Sequence, residues 1–202
     1  MNEINYNLKQ LEIIKALQEK GEKPKLLLHS CCAPCSSSCL ERLVPYFMVD
    51  VFYYNPNITN SDEYYKRLNE QKRFCFEVYG ESVNVIDGRY DISDYLTAIS
   101  GKEEAKEGGE RCKVCYTLRL EETAKTAKNN GYDYFTTTLS VSPHKNAKWL
   151  NEIGEKLSEI YGVNYLYADF KKGGGYLRST QLSKQHNLFR QDYCGCDFSK
   201  NK

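Results

Sequence analysis

The 202 residues carry 28 Lys or Arg against 27 Asp or Glu, a net charge of +1, and 41% of them are apolar. That length supports one substantial core. No apolar run approaches the ~18 residues of a membrane span, and the polar start MNEINYNLKQ lacks the apolar stretch of a signal peptide. These features predict a cytoplasmic protein with no membrane partner. Structural disulfides are rare in that reducing setting, so the nine cysteines call for another explanation.

Ile4, Leu8, Leu11, Ile14 and Leu17 recur at helical spacing and predict an amphipathic helix ended by Gly21 and followed by Pro24. KLLLHS reads as a short buried strand that ends at HSCCAPCS, residues 29–36. MVDVFYYN is a second strand, stopped by NPN. SDEYYKRLNEQKRFCFEVYG predicts a helix with Ser61 or Asp62 near its cap and Gly80 at its end. VNVIDG is a third strand, and residues 91–100 form a short helix. GKEEAKEGGER is a charged loop. CKVCYTLRLEETAKTAKNNG is a helix closed by Asn130-Gly131. YDYFTTTLS is a fourth strand, NAKWLNEIGEKLSEIYG a helix, VNYLYADF a fifth strand, and residues 177–187 a last helix.

Alternating strands and helices predict an α/β fold, a mostly parallel sheet with helices on both faces, in one domain spanning 1–202. Ligands in such folds sit beyond the carboxyl ends of the strands. The loops after the first, second and fourth strands therefore share a rim, and HSCCAPCS lies on it.

Clustered cysteines in a cytoplasmic chain point to metal binding or redox chemistry. Cys112 and Cys115 in CKVC form a chelating pair, and Cys31, Cys32 and Cys35 crowd one strand end. Seven thiols in three groups, with Cys194 and Cys196 as the third, exceed the four of a structural zinc. A Cys-Cys pair followed some eighty residues later by Cys-x-x-Cys supplies four thiolates, enough for a [4Fe–4S] cluster. The spacing resembles that of assimilatory adenylylsulfate reductases, although their serine- and glycine-rich pyrophosphate loop is absent. Cys39, one helical turn beyond Cys35, and Cys75, within a helical pattern, read as small buried hydrophobes. A zinc-stabilised RNA-binding module and a thiol–disulfide oxidoreductase are the alternatives.

HSCCAPCS, FYYNPNI, RCKVCYTLRL, TTTLSVSPHKN and RSTQLSKQHNLFRQDYCGC, in that order between about Leu26 and Phe198, together resemble the QueH family of epoxyqueuosine reductases. The resemblance implies a Rossmann-like sheet of the nucleotide-hydrolase kind. It implies an oxidoreductase that completes queuosine biosynthesis by reducing epoxyqueuosine at the wobble position of transfer RNA, without cobalamin. It further implies a [4Fe–4S] cluster on Cys31, Cys32, Cys112 and Cys115. Cys194 and Cys196 become a catalytic redox pair, joined as a disulfide, or ligands of an additional mononuclear iron; an alternative division keeps three cysteines on the cluster, leaves one of its irons open, and gives Cys31, Cys35 and the C-terminal pair to the second metal. The segment 171–202 is expected to fold back over the site. The electron donor is not identified by the sequence. A thiol, Tyr193, His29 or Asp192 can supply protons, although His29 equally suits a satisfied side chain beside a strand end.

Residues 163–202 carry seven Lys or Arg against three Asp, which leaves the remainder at −3. The segment KKGGGYLRS offers Lys171, Lys172 and Arg178 to phosphates and Tyr176 to a base. Arg111 and Arg119 flank the chelating pair, either to attract phosphate or to pair with local Glu residues. His144 and Lys145 face substrate if their loop lies on the rim.

Overall fold

Strand β1 (Lys25–His29) occupies the centre of a five-stranded sheet, and its side chains are buried from Leu26 onward. The structure is a computed structural model and describes residues 4–199. β2 (Met48–Tyr53) and β4 (Tyr134–Thr137) flank β1; β3 (Val85–Asp87) and β5 (Asn164–Tyr165) lie outside them. The order is β3-β2-β1-β4-β5, with every pair parallel. A parallel strand covered on both faces needs consecutive apolar residues rather than alternate ones, and Leu26, Leu27 and Leu28 supply them.

Alternate side chains of the sheet enter two cores. Leu26, Leu28, Val49 and Val51 pack with Ile14 and Leu17 of α1 (Tyr6–Lys20), Leu40 and Leu43 of α2 (Ala33–Leu43), and Phe74 of α3 (Ser61–Tyr79). Leu27, Phe52 and Phe135 face the other way, toward Leu120 and Ala124 of α5 (Glu110–Asn129) and Leu150 and Leu157 of α6 (Ala147–Tyr161). Each fully buried Leu or Phe contributes about 1.5–3 kcal/mol relative to exposure. Short α4 (Ile92–Ala98) lies against α5, and α7 (Gly175–Gln185) against α2.

Helix starts are set by side-chain caps. Asn5, Asn60 and Asn146 accept from the backbone N–H three residues on, at 3.3, 2.9 and 3.1 Å. The cap of α3 is thus Asn60, one residue before the expected Ser61. Three other boundaries differ from the sequence reading. α2 is a full helix of 11 residues, where the sequence pattern placed only Cys35 and Cys39 on one turn. α5 begins at Glu110, inside the predicted charged loop. The fifth strand is two residues long instead of eight. Leu166 N–H still donates to Phe135 C=O at 3.0 Å, and two residues on the Asn151 side chain takes up the backbone. Asn151 accepts from Ala168 N–H at 2.9 Å and donates to Ala168 C=O at 2.8 Å.

The connections after β1 and β4 leave toward opposite faces, to α2 and to α6. This is the switch point at which a doubly wound sheet opens a crevice. Cys31 N–H meets Thr138 Oγ1 there at 3.4 Å, and Asn55 Nδ2 after β2 donates to Ser30 C=O at 2.8 Å.

Candidate metal centre and cleft

At the end of β1 the His29 ring is buried. Tyr54 C=O can only accept, so Nε2 carries the proton and donates to it at 3.0 Å, while Nδ1 accepts from the Thr137 hydroxyl at 2.9 Å. Burial, reinforced by the Arg119 charge, lowers the His29 pKa to about 3. The ring therefore stays neutral and ties β1 to both neighbouring strands.

The chain then turns. Cys32 is extended at the start of α2, and Pro34 sits in the first turn, where its missing N–H costs nothing. This brings Cys31, Cys32 and Cys35 together, with all three Sγ atoms within 4.8 Å of one another. Cys31 and Cys32 Sγ are 3.8 Å apart. Two thiolates on one tetrahedral ion with bonds of ~2.3 Å lie at about that distance. The Cys32 and Cys35 thiols donate to Cys31 and pull its pKa well below the usual thiol value. Its hydrogen bonds and charge push Cys32 up to about 12 and hold Cys35 well above the usual thiol value. A metal cation would remove that repulsion and let all three ionise.

Cys112 and Cys115 lie one turn apart on α5, so both face the same way. Gly108 N–H donates to Cys112 Sγ at 3.2 Å. Cys115 packs with Cys196 against Tyr95 and Ile99, and burial pushes its pKa up to about 11. The tail that carries Cys194 and Cys196 is anchored by Thr59 N–H to Gly195 C=O at 3.2 Å and by Arg67 to Cys194 C=O at 3.5 Å. Gly195 has φ +104° and lies against Ile58, so the turn between the two cysteines needs glycine. Lys145 is buried, donates to Cys194 Sγ at 3.2 Å and sits 3.7 Å from Glu107.

Cys112, Cys115, Cys194 and Cys196 line a small inner cavity. Cys194 also lines an open cleft of about 370 Å³ with Cys31 and Cys35. The seven thiols thus form two adjoining sets with Cys194 between them. All nine cysteines are free, so the disulfide expected of Cys194 and Cys196 is absent. Cys39 and Cys75 are buried away from both sets, and Cys75 Sγ accepts from Gln71 Nε2 at 3.2 Å.

The donor set suits an iron–sulfur group. Around the inner cavity, Arg119 Nη2, Tyr116 Oη and Asn57 Nδ2 are buried without a hydrogen-bond partner. They are donors on residues that line the cavity together with the thiols, an arrangement that fits an anionic group rich in acceptors. Neither arginine beside the chelating pair is matched to a Glu side chain among the described residues. Arg111 donates to the carbonyls of Glu103 and Ala105, and Arg119 donates to Asn55 Oδ1 at 3.2 Å.

Of the residues expected to meet substrate, Tyr176 lines the cleft. Lys171 lies 2.8 Å from Asp169, Lys172 4.0 Å from it, and Arg178 pairs with Glu41 through both guanidinium edges at 2.7 and 2.6 Å. None of these three lines the cleft. Its cations are Arg67, Lys145 and Arg190, the last stacked 5.7 Å from the Tyr176 ring. Tyr193, Asp192 and His144 line it as well. Arg67 and Arg190 escaped the sequence reading because nothing local marks them; Lys145 was marked by its place after a strand end.

Residues 26–202 match the family described as epoxyqueuosine reductase QueH. The chain is 43% identical to the epoxyqueuosine reductase QueH of Staphylococcus epidermidis, covering 98% of this chain and 86% of that protein. It is 37% identical to that of Streptococcus pyogenes serotype M1, over 97% of this chain and 78% of the relative. The Thermotoga maritima protein of the same name is 38% identical, over 86% and 89%. Among solved structures, the U34-tRNA thiolase NcsA from Methanococcus maripaludis with its [4Fe-4S] cluster aligns at a TM-score of 0.44 and 14% identity, over 89% of this chain and 73% of that one. A likeness at that level says nothing of function.

Proposed function

This chain belongs to the epoxyqueuosine reductase QueH family, and from that we propose that it reduces epoxyqueuosine to queuosine at the wobble position of transfer RNA by iron–sulfur-dependent chemistry. The observation that carries the reading is the convergence of seven cysteines, from three distant segments, beside an open cleft at the carboxyl rim of a parallel sheet. Four of them, Cys31, Cys32, Cys112 and Cys115, are assigned to a [4Fe–4S] cluster. Cys35, Cys194 and Cys196 remain for an additional iron.

Converting an epoxide to an alkene consumes two electrons and two protons and releases the oxygen as water. A bound iron–sulfur centre supplies single electrons, and an additional iron supplies Lewis acidity. The protein must present the modified base, exclude bulk water and deliver protons. Tyr176, backed by Arg190, offers a stacking surface for a base taken out of the anticodon stack. Leu139, Val141 and Pro143 form an apolar wall. Asp192 and Tyr193 stand in the cleft beside Cys194 and are the side chains placed to pass protons to the departing oxygen, whereas both nitrogens of His29 are engaged elsewhere. The segment 171–202, whose residues 200–202 lie outside the described residues, acts as the cover that carries Tyr176, Tyr193 and the last two cysteines.

Anaerobic incubation of the iron-loaded protein with a chemical reductant and transfer RNA bearing epoxyqueuosine, followed by nucleoside analysis, tests the reading. Queuosine is the expected product. Unchanged epoxyqueuosine from protein with full iron and sulfide would overturn it. A colourless protein with stoichiometric zinc would favour an RNA-binding module, and disulfide reduction without iron a thiol–disulfide enzyme.

A further inference from the structure

Three buried polar side chains line the inner cavity, Tyr116 and Arg119 on α5 and Asn57 in the loop after β2, and each carries an atom with no hydrogen-bond partner. Arg119 is 1% exposed; Nη1 donates to Asn55, Nε donates to Cys115 C=O at 3.4 Å, and Nη2 has no partner. Asn55 is itself held by Ser30 C=O, so the guanidinium cannot swing away. Tyr116, 1% exposed, has an unpartnered hydroxyl. Asn57, 1% exposed, has neither amide atom engaged. Each buried group left unsatisfied gives up its hydration with nothing in return. Together with Arg111 Nε, which is also unpartnered, the three line the cavity of Cys112, Cys115, Cys194 and Cys196, and this excess of donors indicates a partner that accepts hydrogen bonds and carries negative charge.

We propose that Arg119, Tyr116 and Asn57 form a shell of donors to the sulfur atoms of the group held at Cys112 and Cys115, and that this shell sets its reduction potential. The inference rests on the iron–sulfur reading. Sulfur atoms of such a group gain negative charge on reduction, so hydrogen bonds from fixed donors stabilise the reduced form more than the oxidised form. The shell therefore raises the potential. It also explains the segment FYYNPNI: Asn55 positions the guanidinium, and Asn57 completes the shell from the loop after β2. These are positioning residues, acting on the group rather than on the substrate.

The test compares the parent with Tyr116→Phe, Asn57→Ala and Arg119→Lys after anaerobic loading with iron and sulfide. Metal and sulfide per chain are measured first, then the midpoint potential by dye-mediated titration followed in the visible spectrum. Tyr116→Phe and Asn57→Ala should keep full iron and sulfide. At the parent's midpoint their ratio of reduced to oxidised centre should fall about tenfold, ~59 mV for one electron. Arg119→Lys should fall further, and if it fails to fold the other two decide. A parental midpoint in both Tyr116→Phe and Asn57→Ala overturns the shell while leaving the iron–sulfur reading intact. A parent that takes up neither iron nor sulfide overturns that reading, and the shell with it.

Discussion

A histidine two residues from a reactive cysteine invites a catalytic role, and His29 does not take one. Its two ring nitrogens are spent on Tyr54 C=O and the Thr137 hydroxyl, and burial keeps it neutral. His29→Ala should cost about 2–4 kcal/mol, the sum of a packing defect and two orphaned partners, read as a lower urea midpoint at unchanged slope. Tyr193→Phe, in the cleft, should leave that midpoint within about 0.5 kcal/mol. The cysteines divide in the same way. Cys112→Ser or Cys115→Ser should lose most bound iron and sulfide, because an alcohol replaces a thiolate poorly. Cys75→Ala, whose parent thiol is raised to about 11 by burial and bonded by Gln71, should retain both in full. Iron loss in Cys75→Ala would return that residue to the ligand set.

Elements position these residues through backbone geometry that few substitutions tolerate. α2 starts where it does because Cys32 is extended and Pro34 follows, so shortening or shifting the helix would separate Cys35 from Cys31. The tail depends on Gly195, whose positive φ and contact with Ile58 leave no room for a side chain. Gly195→Ala should displace Cys194 and Cys196 together. The expected outcome is loss of reductase activity by at least tenfold with the global unfolding midpoint nearly preserved, since the tail adds little to either core. Preserved activity in that variant would show that the tail tolerates a different turn. Gly175, at the start of α7, meets the Phe170 carbonyl where a Cβ would stand, and this fixes how α7 departs from the sheet.

Across the whole molecule, two cores on opposite faces hold a rigid sheet, and chemistry collects at one rim. The excess positive charge of residues 163–202 is less available than its count suggests, because Lys171 and Arg178 already face Asp169 and Glu41. Arg190, in the cleft, is better placed to meet a phosphate. In transfer RNA binding measured against salt, Arg190→Ala should lower the slope of log affinity against log salt by about 0.7–0.9, the loss of one phosphate contact. Arg178→Ala should leave the slope unchanged. A reduced slope for Arg178→Ala alone would mean that RNA displaces Glu41.

Local pattern was enough to read the α/β order, the buried central strand and the three groups of clustered cysteines, because periodicity, caps and short spacings are written in neighbouring residues. Cys39 and Cys75 were legible as packing residues for the same reason, whereas His29 stood open between that role and a proton donor. Five short motifs in a fixed order also carried the family. Tertiary structure alone decided that Cys194 lies between the two thiol sets, that Lys145 is buried against it, and that Arg67 and Arg190 rather than Lys171 or Arg178 line the cleft. It also decided that Arg119 reaches Asn55, 64 positions away, and keeps one guanidinium nitrogen free. Such contacts join residues far apart along the chain. Their geometry follows from how the strands order themselves and which face each helix covers, information that no local run of residues contains.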